Sequence, residues 1–412
     1  MSGLTRKACE TRDAADPLAP CRDLFDVPQG VVYLDGNSLG ALPRATAGRL
    51  DELVRREWGG DLIRSWNVHG WIDAPARVGD KIARLIGAAP GEVVAADSTS
   101  VNLFKLLAAA LRLRPDRAAV LTEDGNFPTD VYVAQGLLDL VGGRTLRRAA
   151  ADGIAAALDR DVAVLMLTHV DYRSGRVHDM AALTAAAHAA GALVLWDLSH
   201  STGAVPVDLN GAVADFAVGC GYKYLNGGPG APAFLFVAGR HHDAARPPLS
   251  GWMGHADPFA FEDDYRPAAG IARHLCGTPS ILGLAALEVG VDILNRVDMT
   301  AVRAKSMALT DLFVELVDQE CAGLGFALAS PRDAHARGSQ VALRHAEAYP
   351  VMQALIRAGV IGDFRSPDIL RFGFAPLYVR FADVWDAVAT LRETMTTEAW
   401  DRPEFRVRSA VT

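Results

Sequence analysis

The sequence is poor in cysteine and holds no pair of closely spaced cysteines. Its 412 residues include five cysteines, an odd number, spread along the chain without a C-x-x-C pair. This usage argues against a disulfide framework and against structural zinc, and it favours a reducing compartment. We therefore expect no metal centre. The five residues are Cys9, Cys21, Cys220, Cys276 and Cys321.

Long hydrophobic runs and clusters of basic residues are also missing. The longest apolar stretches fall far short of a membrane span, and residues 1–10 lack the apolar segment of a signal peptide. The formal net charge is −8 without any basic run, which argues against binding to nucleic acid or to an anionic membrane. The sequence predicts a cytoplasmic protein that acts on a small molecule.

The middle of the chain alternates between short apolar runs and helical patterns. From about residue 92 to 218, apolar runs fit strands, and the segments near 100–113, 128–141, 151–159 and 179–190 fit helices. This alternation predicts an α/β fold with a mostly parallel sheet covered by helices on both faces, with ligands bound beyond the carboxyl ends of the strands. We expect residues 1–30 to form an arm with little regular structure. A long helical stretch at about 280–320 leads to a smaller α+β domain.

One lysine stands among glycines between two apolar runs. Lys223 lies in the string Gly-Cys-Gly-Tyr-Lys-Tyr-Leu-Asn-Gly-Gly-Pro-Gly at 219–230. Asp197 ends an earlier apolar strand, and His200 follows it by three residues. A lysine that forms a Schiff base and an acid that keeps a pyridine nitrogen protonated are the pair that pyridoxal phosphate requires. His200 would then suit donation to the phenolate oxygen of the cofactor. The alternatives are a lysine bonded to loop carbonyls and a capping aspartate beside a satisfied histidine.

Residues that follow two other predicted strands are candidates for cofactor contacts. Thr99 and Ser100 open a helix after the strand at 93–96, where hydroxyls and unpaired N–H groups suit a phosphate. Phe127 precedes Pro128 at another strand exit, where its ring suits stacking on an aromatic cofactor. Ordinary helix capping explains the first pattern equally well, and a cap with a hydrophobic staple explains the second. Both interpretations stay open at this point.

Four groups in the second half of the chain are further candidates. Tyr222 suits phosphate binding, proton donation or simple packing. Trp252 places an N–H donor in a glycine-rich loop, and Thr278 precedes a helix that begins with proline, which makes it a second phosphate candidate. Arg371 lies on an apolar strand, where its guanidinium suits either a substrate carboxylate or a structural ion pair.

Five strings along the chain resemble those of bacterial kynureninases. The likeness runs in order from about residue 31 to 412. The lysine and aspartate strings are shared by many fold-type-I pyridoxal-phosphate enzymes, whereas the full set is specific to kynureninases. The strings are Tyr-Leu-Asp-Gly-Asn-Ser-Leu-Gly at 33–40, Asn-Phe-Pro-Thr-Asp at 126–130, Trp-Asp-Leu-Ser-His-Ser at 196–201, Tyr-Lys-Tyr-Leu-Asn-Gly-Gly-Pro-Gly at 222–230 and Arg-Phe-Gly-Phe at 371–374.

The resemblance implies a fold-type-I pyridoxal-phosphate-dependent transferase fold. It implies hydrolysis of L-kynurenine, or of 3-hydroxykynurenine, to L-alanine and anthranilate or 3-hydroxyanthranilate, as part of tryptophan catabolism. It also implies a homodimer with the active site at the subunit interface. The expected parts are an N-terminal arm and segment over 1–55 that packs with the small domain, a large cofactor-binding domain over 56–299 and a small α+β domain over 300–412. Competing hypotheses are a cysteine desulfurase or related class V enzyme, an aminotransferase and a cofactor-binding regulatory module.

The resemblance also assigns roles to site residues. Lys223 would carry the Schiff base, and Asp197 would pair with the pyridine nitrogen. Tyr222 would contact the phosphate or the cofactor, and it is also the candidate catalytic acid. His200 would lie near the ring oxygen of the cofactor. The other implied cofactor contacts are Thr99, Ser100, Phe127, Asp130, Trp252 and Thr278, the last of them from the neighbouring subunit. The implied substrate contacts are Arg371, which would bind the α-carboxylate, and Asn37, Ser38, Arg64 and Trp66.

Overall fold

Two β-sheets organise the protein, whose structure, a computed structural model, describes residues 4–408. In chain order the strands are β1 (Phe25–Asp26), β2 (Val32–Tyr33), β3 (Leu42–Pro43), β4 (Val93–Ala95), β5 (Ala119–Glu123), β6 (Thr145–Ala149), β7 (Val162–Thr168), β8 (Leu193–Asp197), β9 (Phe216–Gly219), β10 (Phe234–Val237), β11 (Ala327–Leu328), β12 (Gln340–Arg344), β13 (Val360–Ile361), β14 (Asp363–Arg365) and β15 (Ile369–Gly373). The larger sheet has the order β4, β10, β9, β8, β7, β5, β6. Strands β5 to β9 run parallel, and β10 runs antiparallel to both of its neighbours.

Helices cover both faces of the larger sheet and one side of the smaller one. In chain order the α-helices are α1 (Arg6–Ala14), α2 (Arg44–Glu52), α3 (Ser65–Val68), α4 (Ala74–Leu85), α5 (Thr99–Arg112), α6 (Pro128–Val141), α7 (Met180–Ala189), α8 (Ile281–Leu294), α9 (Met299–Glu320), α10 (Ala348–Arg357) and α11 (Phe381–Thr396). A π-helical stretch, Leu53–Asp61, continues α2. Among residues 4–408, no helix has the length and apolar character needed to cross a membrane.

The central strands are buried on both faces. Every residue of β7 and of β8 is buried. Because successive side chains of a strand point to opposite faces, Val194 and Trp196 join one hydrophobic cluster, whereas Leu193 and Leu195 join another. Continuous apolar runs of this kind are typical of parallel strands with helices on both sides. The prediction of an α/β fold with a mostly parallel sheet is confirmed.

The smaller sheet is antiparallel and has the order β11, β12, β15, β14. It lies late in the chain, but an early segment is attached to it. Strand β2 pairs in parallel with β13, and the N–H of Gly373 donates to the carbonyl of Leu34 at 2.7 Å. The segment around 31–40 therefore belongs spatially with the end of the chain. The three-part division at 55/56 and 299/300 stays a prediction.

The expectation that residues 1–30 have little regular structure is wrong. Helix α1 begins at the Thr5 cap, whose hydroxyl accepts the N–H of Ala8 at 3.2 Å. The carboxylate of Asp13 accepts the N–H groups of Phe381 and Ala382 at 2.7 and 3.0 Å, at the start of α11. A nine-residue helix is marginal alone, so contact with α11 stabilises it, and the local sequence does not show that contact.

Two helix predictions also need correction. Residues 151–159 contain a 3₁₀ turn, Ala151–Gly153, instead of the predicted helix, and the glycine at 153 disfavours a helix in this segment. The stretch 280–320 forms two helices, α8 and α9. The second begins at Asp298, whose carboxylate accepts the N–H of Thr300 at 2.8 Å and so caps α9.

Candidate active site

A cavity of about 190 Å³ lies beyond the carboxyl ends of β7 and β8. Its position matches the rule that ligands of parallel sheets bind at this edge. Strand ends, two helix starts and the loop between β9 and β10 contribute its wall. The lining residues are Thr99, Ser100, Phe127, Thr129, Asp130, Thr168, Tyr172, Asp197, Ser199, His200, Tyr222 and Lys223. The structure therefore brings together most of the predicted cofactor contacts.

Lys223 is buried in this cavity. Its Nζ lies 3.0 Å from Nε2 of His200 and 5.9 Å from the centre of the Phe127 ring. The early segment supports its loop, because the N–H of Gly40 donates to the carbonyl of Tyr222 at 2.8 Å. A Cβ on Gly40 would lie 2.3 Å from the carbonyl oxygen of Lys223, so only glycine fits there. The lysine is thus fixed by tertiary contacts rather than left as a solvated charge.

Two carboxyl groups, Asp130 and Asp197, share one wall of the cavity and are both buried. Asp197 accepts the N–H of Ser199 at 2.7 Å, and Asp130 faces the hydroxyl of Thr168 at 3.3 Å. Burial, followed by the adjacent Asp197, raises the pKa of Asp130 well above its usual range. Two buried carboxyl groups side by side are costly unless a proton or a cation compensates their negative charge. A protonated pyridine nitrogen supplies the missing cation, so these residues fit pyridoxal phosphate.

His200 is held at both ring nitrogens. Nε2 faces Lys223, and Nδ1 lies 2.9 Å from the side-chain oxygen of Gln340. Burial, then the charges of Lys223 and Arg371, lowers the pKa of His200 well below its usual value, so the ring is neutral. Sequence reasoning missed Gln340, which belongs to β12 of the smaller sheet and carries no local motif.

Helix capping was the alternative to cofactor binding for Thr99 and Ser100 and for Phe127, and the structure decides between the two in part. The cap of α5 is Ser98, whose hydroxyl accepts the N–H of Val101 at 3.3 Å, so neither Thr99 nor Ser100 is needed as a cap. Phe127 occupies the N-cap position of α6 before Pro128, yet its ring also lines the cavity. The phosphate and stacking roles of these residues stay predictions.

Three predicted contacts lie in a different cavity of about 490 Å³. Trp66, Trp252 and Thr278 line it together with Ile63, Asn67, Ile72 and Phe259. Arg64 lines neither cavity. Its guanidinium is exposed and donates to the carboxylate of Asp61 at 3.1 Å. Within one subunit these four residues do not meet Lys223, and their roles stay predictions.

Arg371 lies in a buried cluster beside the first cavity. Its Nε donates to Asp363 at 2.8 Å, its Nη1 to the carbonyl of Tyr172 at 2.5 Å and its Nη2 to Ser38 at 2.9 Å. With its side-chain amide turned by half a rotation, Asn37 accepts from Nε of Arg371 at 2.9 Å. The ion pair considered from the sequence is therefore present. The predicted substrate contacts Asn37 and Ser38 adjoin Arg371, and its carboxylate-binding role stays a prediction.

The cluster holds three charged residues that sequence reasoning missed. Arg365 donates to Asp363 at 2.7 Å. Burial acts to raise the pKa of Asp363, but the charge and hydrogen bond of Arg371 lower it below its usual value. Burial and then Asp363 raise the pKa of Asp35 to about 8. At pH 7 the two arginines and the one ionised carboxylate leave a net positive charge, which suits an anionic ligand.

We expect the pH dependence of stability to report on Asp35. Its pKa is about 8 in the folded chain and about 4 when unfolded, so the folded state binds the extra proton between those values. The free energy of unfolding should then fall as the pH rises from about 4 to 8. Relative to Asp35→Asn, the wild type should lose about 1–2 kcal/mol over this window. Denaturant unfolding at several pH values measures the difference. The exposed Asp23→Asn serves as the control, and parallel curves for wild type and Asp35→Asn would contradict the prediction.

Proteins of known family are similar to this chain over nearly its whole length. A family model described as the kynureninase C-terminal domain matches residues 302–391. Kynureninase from Burkholderia pseudomallei (strain 1106a) is 56% identical over 414 residues, with 99% of this chain and 100% of that protein covered. Kynureninase from Pseudomonas fluorescens is 53% identical over 414 residues with the same coverage.

Solved structures with low sequence identity share the fold. The apo cysteine desulfurase from Thermococcus onnurineus NA1 has a TM-score of 0.77 at 19% identity, covering 96% of this chain and 100% of that one. The cysteine desulfurase CsdA from Escherichia coli has a TM-score of 0.77 at 20% identity, covering 92% and 98%. The prediction of a fold-type-I pyridoxal-phosphate fold is confirmed.

Proposed function

This chain belongs to the kynureninase family, and from that premise we propose that it hydrolyses L-kynurenine to anthranilate and L-alanine with pyridoxal phosphate as cofactor. The observation that carries the proposal is one cavity lined by Lys223, His200 and the pair Asp130 and Asp197. The lysine amine suits the aldehyde of pyridoxal phosphate, and the two buried carboxyl groups suit its pyridine nitrogen. The identity to named kynureninases selects the substrate.

We assign the cofactor contacts from this arrangement. Asp197 would hold a proton at the pyridine nitrogen, and Phe127 would cover a ring face. Thr99 and Ser100, at the N-terminus of α5, would bind the phosphate through hydroxyl and N–H groups. When bound, pyridoxal phosphate supplies an electron sink that stabilises negative charge on the substrate.

The chain's own residues move the protons. Lys223 Nζ is the base and acid for the substrate α-carbon, because it is the amine that lines the cavity. Burial raises the pKa of Tyr222, so its phenol keeps its proton at neutral pH and can donate it to the product carbon. Arg371, with Ser38 and Asn37 beside it, would bind the substrate α-carboxylate.

The cysteine desulfurase alternative is weaker, although the fold is shared. That chemistry needs a reactive thiolate near the cofactor. Cys321 is buried after the last turn of α9, and burial raises its pKa to about 11. A thiol of this kind stays protonated at neutral pH and is a poor nucleophile.

The function is tested with purified protein, pyridoxal phosphate and L-kynurenine. We expect anthranilate, followed by its fluorescence, and L-alanine in equal amounts. A keto acid together with pyridoxamine phosphate would instead identify an aminotransferase. Sulfur release from cysteine without anthranilate would identify a desulfurase. Either outcome would overturn the proposal and leave the fold unchanged.

We further propose a homodimer in the cytoplasm, with the three chain segments 1–55, 56–299 and 300–412 as its structural parts. The second cavity supports the dimer, since apolar side chains around it are exposed. Ile63 is 76% exposed, Phe259 60% and Phe261 77%. Trp252 and Phe259 lie edge to face with ring centres 5.6 Å apart. A patch of this kind marks a protein interface, and Trp66, Trp252 and Thr278 would then serve the site of the partner subunit.

Introducing charge into this patch should dissociate the dimer. We expect Ile63→Asp with Phe261→Asp to weaken self-association by about 100-fold or more, because a buried unpaired carboxylate is costly. Sedimentation velocity over a concentration series measures the change. Leu140→Asp, at an equally exposed leucine on α6, is the control and should leave the dimer intact. A mixture of Lys223→Ala and Trp252→Ala subunits should recover part of the activity, and no recovery would contradict a shared site.

A further inference from the structure

The side-chain amide of Gln340 connects the smaller sheet to the centre of the site. Gln340 is 1% exposed and opens β12. Its Nε2 donates to the carbonyl of Asp171 at 3.1 Å and to that of Tyr172 at 3.0 Å. Its Oε1 lies 2.9 Å from Nδ1 of His200. Every polar atom of this amide therefore has a partner.

These partners fix the orientation of the amide. Two backbone carbonyls are acceptors only, so the end that faces them must be the NH₂ group. The opposite end is then the carbonyl oxygen, which can only accept. Because it faces Nδ1 of His200, that nitrogen must carry the hydrogen. Both carbonyls belong to the turn at 171–172, so the orientation does not depend on the histidine itself.

The hydrogen on Nδ1 determines whether Nε2 of His200 donates or accepts a hydrogen bond toward Lys223. Burial of His200, then the cationic Lys223, Arg371 and Arg365, lowers its pKa and favours the neutral ring, whereas the hydrogen bond to Gln340 acts in the opposite direction. A neutral ring with hydrogen on Nδ1 has an unshared pair on Nε2. Nε2 lies 3.0 Å from Nζ of Lys223, so it accepts a hydrogen bond from the amine.

We propose that Gln340 is a positioning residue that fixes the tautomer of His200 and so keeps the unshared pair of Nε2 directed at Lys223. The inference rests on the proposed function for its catalytic meaning. It also changes the role expected of His200. The sequence suggested that His200 donates to the phenolate oxygen of the cofactor. A neutral His200 in this tautomer has no hydrogen on Nε2 and cannot donate from that nitrogen. It accepts instead from the Lys223 amine whenever that amine is not bound to the cofactor, and so holds the amine in place.

The surroundings of Gln340 are rigid enough for this task. Gly175 has φ of +73°, and a Cβ there would lie 2.8 Å from Cγ of Gln340. The N–H of Gly338 donates to the carbonyl of Gly175 at 2.7 Å. The turn that supplies both carbonyls is thus closed tightly over the amide. A side chain that is packed and bonded in this way orients its neighbour without contacting the substrate.

Nitrogen NMR of the holoenzyme labelled with ¹⁵N-histidine tests the proposal without substrate. The His200 signals are identified by their loss in His200→Asn. We expect a protonated Nδ1 and a bare Nε2 in the wild type. In Gln340→Met, which has no acceptor for Nδ1, the hydrogen should move to Nε2. In Gln340→Glu, the carboxylate should favour the doubly protonated ring, because it stabilises the cation.

Kinetics and absorbance give a second measurement. We expect both variants to lose on the order of 10–100-fold in kcat with little change in KM, since neither the other neutral tautomer nor the doubly protonated ring can accept from the catalytic amine at Nε2. In Gln340→Glu the pH at which the visible absorbance of the holoenzyme changes should shift upward. Gln353→Glu and Gln353→Met make the same substitutions on α10 and serve as matched controls for stability. Both controls should retain wild-type signals and rates.

The outcomes separate this inference from the proposed function. A wild-type His200 with hydrogen on Nε2 would overturn it even if kynurenine is hydrolysed. Unchanged His200 signals in Gln340→Met would also overturn it. If the expected tautomer is found but kynurenine is not hydrolysed, the positioning role stands and the function fails.

Discussion

Replacing Lys223 with alanine should lower anthranilate formation by about 10³-fold or more, to the level of background. The amine of Lys223 is the lysine nitrogen that lines the cavity, and it contacts His200 at 3.0 Å. Its removal takes away both the covalent attachment point and the proton carrier. Anthranilate fluorescence measures the rate, and gel filtration followed by visible absorbance measures how much cofactor stays bound.

The matched control for this variant is Lys81→Ala. Lys81 forms surface ion pairs with Glu288 and Asp292 at 2.9 and 2.7 Å, away from the cavity. We expect this variant to keep its full rate. The stability of Lys223→Ala should be near that of the wild type, because the cavity already has a polar wall. Full turnover by Lys223→Ala would remove the lysine from the mechanism.

The second large effect concerns Arg371, where leucine should raise KM for kynurenine by about 100-fold and also destabilise the fold. Breaking a buried ion pair by removing one partner costs about 3–5 kcal/mol. We expect about 3 kcal/mol here, because Arg365 keeps its 2.7 Å contact with Asp363. Denaturant unfolding measures the stability loss, and initial rates over a range of kynurenine concentrations measure KM.

A double variant distinguishes the two roles of Arg371. In Arg371→Leu with Asp363→Leu, the buried charge left by the single variant is gone, so stability should return toward that of the wild type. KM should stay high, because the carboxylate-binding group is still missing. Arg332→Leu, in an exposed pair with Asp318, is the control and should change neither quantity. Recovery of KM in the double variant would assign Arg371 to structure alone.

The cofactor end of the site was predictable because its residues follow strands in short, characteristic strings. Asp197 ends β8, and Lys223 lies in the loop that follows β9, the neighbouring parallel strand. Loops that follow parallel strands lie at the same edge of the sheet, where ligands bind. The alternation of apolar runs also gave the α/β class. These signals are local, and a single sequence contains them in full.

Contacts made across the smaller sheet were not predictable. Asp363 meets Arg371 because β14 and β15 pair with these two residues opposite each other. Gln340 reaches His200 only because β12 lies next to the site. Such partners depend on strand register, which the sequence of either strand alone does not specify. The same reason explains the missed helix α1, whose stability comes from α11.

The pairing of β2 with β13 has a consequence for protein synthesis. Residues 33–40 support the lysine loop through Gly40, but their own partners, near residues 360 and 373, are synthesised only after the whole intervening chain. During translation the early segment therefore stays unpaired until residues 360–373 have emerged from the ribosome. Contacts of such long range form slowly. Cofactor binding should therefore require the chain as far as residue 373, and nascent chains that end before this residue should lack the visible absorbance of bound pyridoxal phosphate.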